Sequence, residues 1–169
     1  MSDGLTLNIA LEENVSEALA RGVAAGADLT PAMKEIASFL ATQTSLRFET
    51  ETGPGGKPWK PSERARSEGG QTLTMRGDLR NSIRPDWGAD FAAAGPERSG
   101  GAAIYAKIHQ FGGTIVPRVK KALSFGGRIL AKVLIPARPY LGFEADDPQE
   151  IAGILIRHLR GAFGGGAAA

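Results

Sequence analysis

The chain has 169 residues, enough for a single domain that buries about 70% of its unfolded-chain surface. Its 42% hydrophobic and 22% charged content is that of an ordinary globular protein. The absence of cysteine excludes disulfides, thiolate metal sites and cysteine nucleophiles together. The net charge of +2 is unevenly distributed. Residues 1–56 carry three Lys/Arg against eight Asp/Glu, residues 57–138 fifteen against six, and residues 139–169 two against four. A basic middle between acidic ends calls for an acidic partner, either another copy of the chain or a nucleic acid. The N-terminus lacks the basic and apolar regions of a secretory signal, and no stretch approaches the ~20 apolar residues that span a bilayer. The expectation is a soluble protein made in a bacterial or similar cytoplasm, with no membrane partner.

In chain order, Leu5, Leu7, Ile9 and Leu11 alternate with polar or small residues and predict a short strand. Val15, Ala18, Leu19, Gly22 and Val23 follow at helical spacing, with Gly26 as the stop. Thr30 as N-cap and Pro31 at the first helical position open a second helix. Its apolar face runs through Met33, Ile36, Ala37, Leu40, Thr44 and Phe48 over about five turns. Residues 50–72 then read as a long Gly/Pro-rich surface loop around Trp59. That indole is an expected anchor, docking on its own domain or on a neighbouring subunit.

Residues 73–83 predict a short helix with Leu79 and Ile83 on one face, followed by a strand toward Trp87. A partner strand, Phe91 to Ala94, returns across Gly88-Ala89-Asp90. Ile104, Tyr105, Ile108 and Phe111 give a helix one apolar face, closed by Gly112-Gly113. Residues 115–125 and 128–135 are β-like runs joined by Gly126-Gly127, a hairpin signal, and carry Lys120, Lys121, Arg128 and Lys132. Asp146-Asp147-Pro148 caps a last helix whose face is Ile151, Ile154, Leu155, His158 and Leu159. Residues 164–169 read as a flexible tail on a single domain, 1–163. The fold class is α+β, a small, mainly antiparallel sheet with packed amphipathic helices.

The residues of catalysis do not assemble into any pattern. His109 has no second His or Cys near it to share a metal, and His158 lies on an apolar helix face. The Gly53–Lys57 stretch fails the phosphate-loop pattern twice, with Glu51 in place of the first glycine and Pro58 after the lysine. No nucleophile elbow or dinucleotide fingerprint is present. The expectation is no enzyme, no catalytic residue, no metal and no cofactor.

Three segments carry a resemblance: RFETETGPGGKPWKP at 47–61, LTMRGDLRNSI at 73–83, and IYAKIHQFGG at 104–113 with IPARPYLGF at 135–143. Together they resemble the phage virion morphogenesis family, which includes tail completion proteins and is similar to tail terminator and neck proteins. Tyr140 stands where such proteins more often have Phe, and the basic hairpin between Gly113 and Ile135 is long. The resemblance implies a non-enzymatic structural protein at the head–tail joint of the virion, present in the host cytoplasm during assembly. It would form a homo-oligomeric ring, with a hexamer as the candidate copy number. It would meet adjacent neck or connector and tail tube proteins, and DNA would pass through it. The resemblance makes Phe48, Trp59, Leu79, Tyr105, His109, Phe111, Gly112, Arg138, Pro139 and Leu141 structural motif residues. Arg138 is expected to bond backbone carbonyls, and Ile104, Ile108, Leu141 and Phe143 to lie in the core.

Charge complementarity between the acidic N-terminal third and the basic middle suits the heterologous contacts of a ring. Interface candidates are Trp59, Lys120, Lys121, Arg128 and Lys132. The hairpin is expected to touch a neighbouring subunit rather than line the lumen, since a dense basic lining would hold passing DNA. The alternative is a DNA-binding accessory protein acting through this hairpin.

Overall fold

The structure is a computed structural model and describes Ala20, Gly26 and residues 28–97, 101–117, 122–125 and 128–164. The predicted strand over 5–11, the helix over 15–23 and the tail after Gly164 lie outside the described residues. The helices are α1 (Thr30–Thr50), α2 (Glu63–Glu68), α3 (Asp78–Asn81), α4 (Gly101–Phe111) and α5 (Asp147–Gly164). The strands are β1 (Ile83–Trp87), β2 (Ala92–Pro96), β3 (Gly113–Ile115), β4 (Leu123–Phe125), β5 (Arg128–Leu130) and β6 (Val133–Ile135). The class is α+β as expected, with the described strands paired as three two-stranded ladders, β1–β2, β3–β6 and β4–β5.

The described residues fall into two compact units. One takes its residues from 1–43, 84–95 and 142–169, the other from 44–83 and 96–141.

In the first unit, Ala32 and Ile36 of α1 pack with Ile151, Ile154 and Leu155 of α5, flanked by Met33, Phe39, Leu40, Ala92 and Phe143. Each large aliphatic side chain buried here contributes about 1.5–3 kcal/mol. The start of α1 differs from expectation by one residue. Leu29 offers the first helical carbonyl, to Met33 at 2.9 Å, and the Asp28 carboxylate accepts the Thr30 amide at 2.9 Å. Asp28 is therefore the side-chain cap, and hydrogen bonding from Thr30, its side chain first and then its amide, holds the carboxyl below the usual range. At α5, Asp147 turns back to accept the Glu144 amide at 2.7 Å, while the Asp146 carbonyl takes the amides of Gln149 and Glu150. His158 is half-buried and satisfied, as expected: its Nε2 lies 2.8 Å from the carboxylate of Glu35, which also pairs with Arg157.

In the second unit, residues 50–72 are more ordered than a long loop. Thr52 bridges Pro58, Pro54–Gly56 make a 3₁₀ turn, and Ser62 caps α2 by accepting the Ala65 amide at 3.1 Å. The Glu51 carboxylate accepts the amide of the fully buried Thr72 at 2.9 Å. Glu51 and Leu73 both hold left-handed backbone, φ 55° and 63°, a strain of about 1 kcal/mol or more each for non-glycine residues. The strap is thus tied at both ends to α1 and to itself. Leu79 and Ile83 are buried as expected, although Ile83 opens β1 rather than extending α3.

Candidate functional site

The motif segments converge on residues 138–141, an extended stretch that belongs to no ladder. A strand in that position would have its backbone satisfied by a neighbouring strand. Here side chains do so. Trp59 Nε1 donates to the Pro139 carbonyl at 2.8 Å, and Arg47 Nη1 to the Tyr140 carbonyl at 3.3 Å. Gln110 Oε1 accepts both the Tyr140 and the Leu141 amides at 3.0 Å, and its Nε2 donates to the Leu141 carbonyl at 2.9 Å. The Arg138 amide meets the His109 carbonyl at 2.7 Å, and its buried guanidinium Nε donates to the Lys60 carbonyl at 2.7 Å. Arg138 bonds backbone, as expected.

Aromatic packing fixes the same clamp. Phe48 lies edge-on to Trp59 with centroids 5.5 Å apart and tilts against Tyr140 at 5.4 Å. Tyr140 is fully buried, and burial pushes its hydroxyl up to about 12, so it stays a donor to the Ala106 carbonyl at 3.2 Å. The inward aromatic of this segment is therefore Tyr140, while Leu141 and Phe143 are half-buried. Gly112 closes α4 by donating to the Ile108 carbonyl at 2.8 Å, with φ 71°. A Cβ there would stand 2.7 Å from the Ala137 nitrogen, so glycine is required twice over.

Trp59 docks on its own domain, the first of the two expected modes: it is only 5% exposed and spends its N–H on Pro139, which leaves no indole for a neighbour. Two expectations about α4 need correction. Phe111 is 57% exposed, because α4 turns Ala102, Ala106 and Gln110 inward instead. Small alanines let the 138–141 segment approach the helix closely, and a larger apolar face would hold it off. Ile108 is half-buried, and the side chain of Ile104 lies outside the described set. Gln110 and the buried Arg47, both central to the clamp, were missed; their polar character reads as solvent-facing until the extended segment they serve is known.

Tyr105 packs edge-on against the His109 ring at 5.8 Å. His109 Nδ1 is buried without a hydrogen-bond partner, and burial, then the Arg138 charge, hold the imidazole below its ordinary pKa. Among the described residues, no three His, Asp or Glu come together as a metal site, and no helix is long and apolar enough to cross a membrane.

The second feature is the arm over residues 113–135. Gly113 pairs with Ile135 and Ile115 with Val133, then Leu123 pairs with Leu130 and Phe125 with Arg128; Gly126-Gly127, the expected turn, lies outside the described residues. Between the ladders one side carries seven residues, 116–122, and the other only 131–132. The arm is therefore two short ladders with an insertion, not one continuous hairpin. Lys120 and Lys121 lie outside the described residues, as does the side chain of Arg128; Lys132 is exposed.

The family model for the phage virion morphogenesis family matches residues 11–160. This chain belongs to that family. The family's members are structural or assembly proteins of phage particles rather than enzymes. Among curated relatives, protein G of Escherichia phage Mu, named as a candidate capsid assembly protein, is 33% identical over 138 residues, 75% of this chain and 77% of its own. The Mu-like prophage FluMu G proteins 1 and 2 of Haemophilus influenzae are 28% and 31% identical, covering 79% and 82% of this chain and 80% and 84% of theirs. No solved structure matches. In this virion morphogenesis protein the clamp lies within the matched region and commits its polar groups to holding backbone.

Proposed function

We propose that this protein completes a tailed-phage virion as a structural ring at the head–tail joint, in a tail-completion, tail-terminator or neck role. Its partners would be other copies of the chain, the adjacent neck or connector proteins, and the tail tube, with DNA passing through the ring. The observation that carries this reading is the division of labour in the second unit. The motif residues lock one backbone segment, and the arm beside them in sequence offers its surface outward. Residues 113–135 hold five Lys/Arg and no acid, and the large hydrophobics they expose, Ile115, Val116, Ile129 and Leu134, are all aliphatic. Such a unit can grip another protein. Immunogold labelling of purified virions tests the position: label at the head–tail junction supports it. Label spread over the capsid would favour instead the capsid role named for the Mu relative.

The same run of five basic residues favours a second reading, a DNA-binding accessory protein. Binding to duplex DNA that weakens steeply with salt, by a slope near the number of phosphates neutralised, would support it.

A further inference from the structure

Resting on the ring reading, we infer which surfaces join one copy to the next: the tip of the β1–β2 hairpin, residues 86–91, docks on the arm of the neighbouring copy.

The arm carries Ile129, 81% exposed, and Leu134, 75% exposed, with Val116 exposed as well. Aliphatic side chains of this size, exposed on two-stranded ladders with open edges, are what a protein partner covers; a phosphate backbone gains nothing from them. Residues 113–135 carry five Lys/Arg and no acid in sequence, so the same stretch of another copy is an electrostatically poor partner for it. The arm therefore needs a different, acidic and apolar patch on the neighbour, and such a pairing repeated head to tail closes a ring.

Outside the arm and the Phe111 beside it, the exposed large hydrophobics among the described residues are Leu46, Met75, Trp87 and Phe91. Leu46 neighbours Glu49, which is already paired with Arg80. Met75 adjoins Arg76, whose charge is already paired with Asp78 and leaves no free acid beside it for the arm. Only Trp87 and Phe91 are bracketed by exposed acids, Asp86 and Asp90. The tip is also built to present them. The Gly88 amide donates to the Phe91 carbonyl at 3.0 Å, and a Cβ on Gly88 would strike the Phe91 ring at 2.5 Å, so that ring rests on the glycine. Lys34 covers one face of Trp87 at 5.4 Å, which steadies the indole and leaves its remaining surface open. The acidic aromatic tip thus complements the basic aliphatic arm in both charge and chemistry.

Charge exchange in the full-length protein tests this, read by sedimentation and native mass spectrometry. Asp86→Lys with Asp90→Lys, or Arg128→Glu with Lys132→Glu, should each weaken subunit association on the order of a hundredfold. Combining all four should restore it. Ile129→Ser with Leu134→Ser, a neutral change at two largely exposed positions, should weaken association equally, with circular dichroism unchanged. If wild-type protein forms rings that these variants leave intact, or the four-fold exchange fails to restore them, the pairing is wrong and the ring reading stands. If the wild-type protein never associates, the ring reading falls and the pairing with it.

Discussion

The side-chain amide of Gln110 bonds the backbone of Leu141 in both directions, donating to its carbonyl at 2.9 Å and accepting its amide at 3.0 Å. One side chain thereby replaces a neighbouring strand for an extended segment that has none. The arrangement explains why a polar residue is buried on the inner face of α4.

Gln110→Ala should therefore cost roughly 2–4 kcal/mol, since it leaves the amides of Tyr140 and Leu141 and one carbonyl without partners. Chemical denaturation of the purified protein measures it. A cost below about 0.5 kcal/mol would mean that water serves the segment equally well.

Trp59 separates hydrogen bonding from packing. Trp59→Phe keeps an aromatic against Phe48 and loses only the donor to Pro139, an expected cost of about 1–2 kcal/mol. Trp59→Ala empties a buried site and should cost about 3–5 kcal/mol. The order of the two melting temperatures checks the assignment of Trp59 as an internal anchor.

Two glycines should respond oppositely to alanine. Gly112 has left-handed backbone and a nitrogen 2.7 Å from the would-be Cβ, so Gly112→Ala should destabilise by about 2 kcal/mol or more. Gly153 lies inside α5 with open space around it, and Gly153→Ala should stabilise by about 0.5–1 kcal/mol. Thermal melts of the two variants decide this directly.

Burial lowers the pKa of His109, so the folded chain binds fewer protons than the unfolded one once the pH falls below about 6.5. Stability should be undiminished by this group above that pH and should decline as pH falls through the lower folded value. His109→Phe should flatten that part of the profile, because Nδ1 has no bond to lose. Denaturation of both proteins across pH 5 to 8 makes the comparison.

Much of the architecture was legible from periodicity. The inward faces of α1 and α5, the Gly112 stop and the pairing of β4 with β5 each follow from local spacing and glycine geometry, which act within one turn or hairpin. The clamp was only half legible. Arg138 and Trp59 stood out as motif residues. The inward role of Gln110 depends on a segment 30 residues away, and that of Arg47 on one 93 residues away. The left-handed backbones of Glu51 and Leu73 carry no compositional mark at all; they flank a long-range tie, from the Thr72 amide to the Glu51 carboxylate. The inward face of α4 is hidden from a reading of side-chain size, because the close approach of Tyr140 to Ala106 selects small residues there.

The proposed role at the head–tail joint is tested most directly by electron microscopy of lysates from a phage lacking this gene. The account predicts DNA-filled heads and complete tails present as separate particles, rejoined when the gene is supplied in trans. Absent or misshapen heads, or normally joined particles, would contradict it.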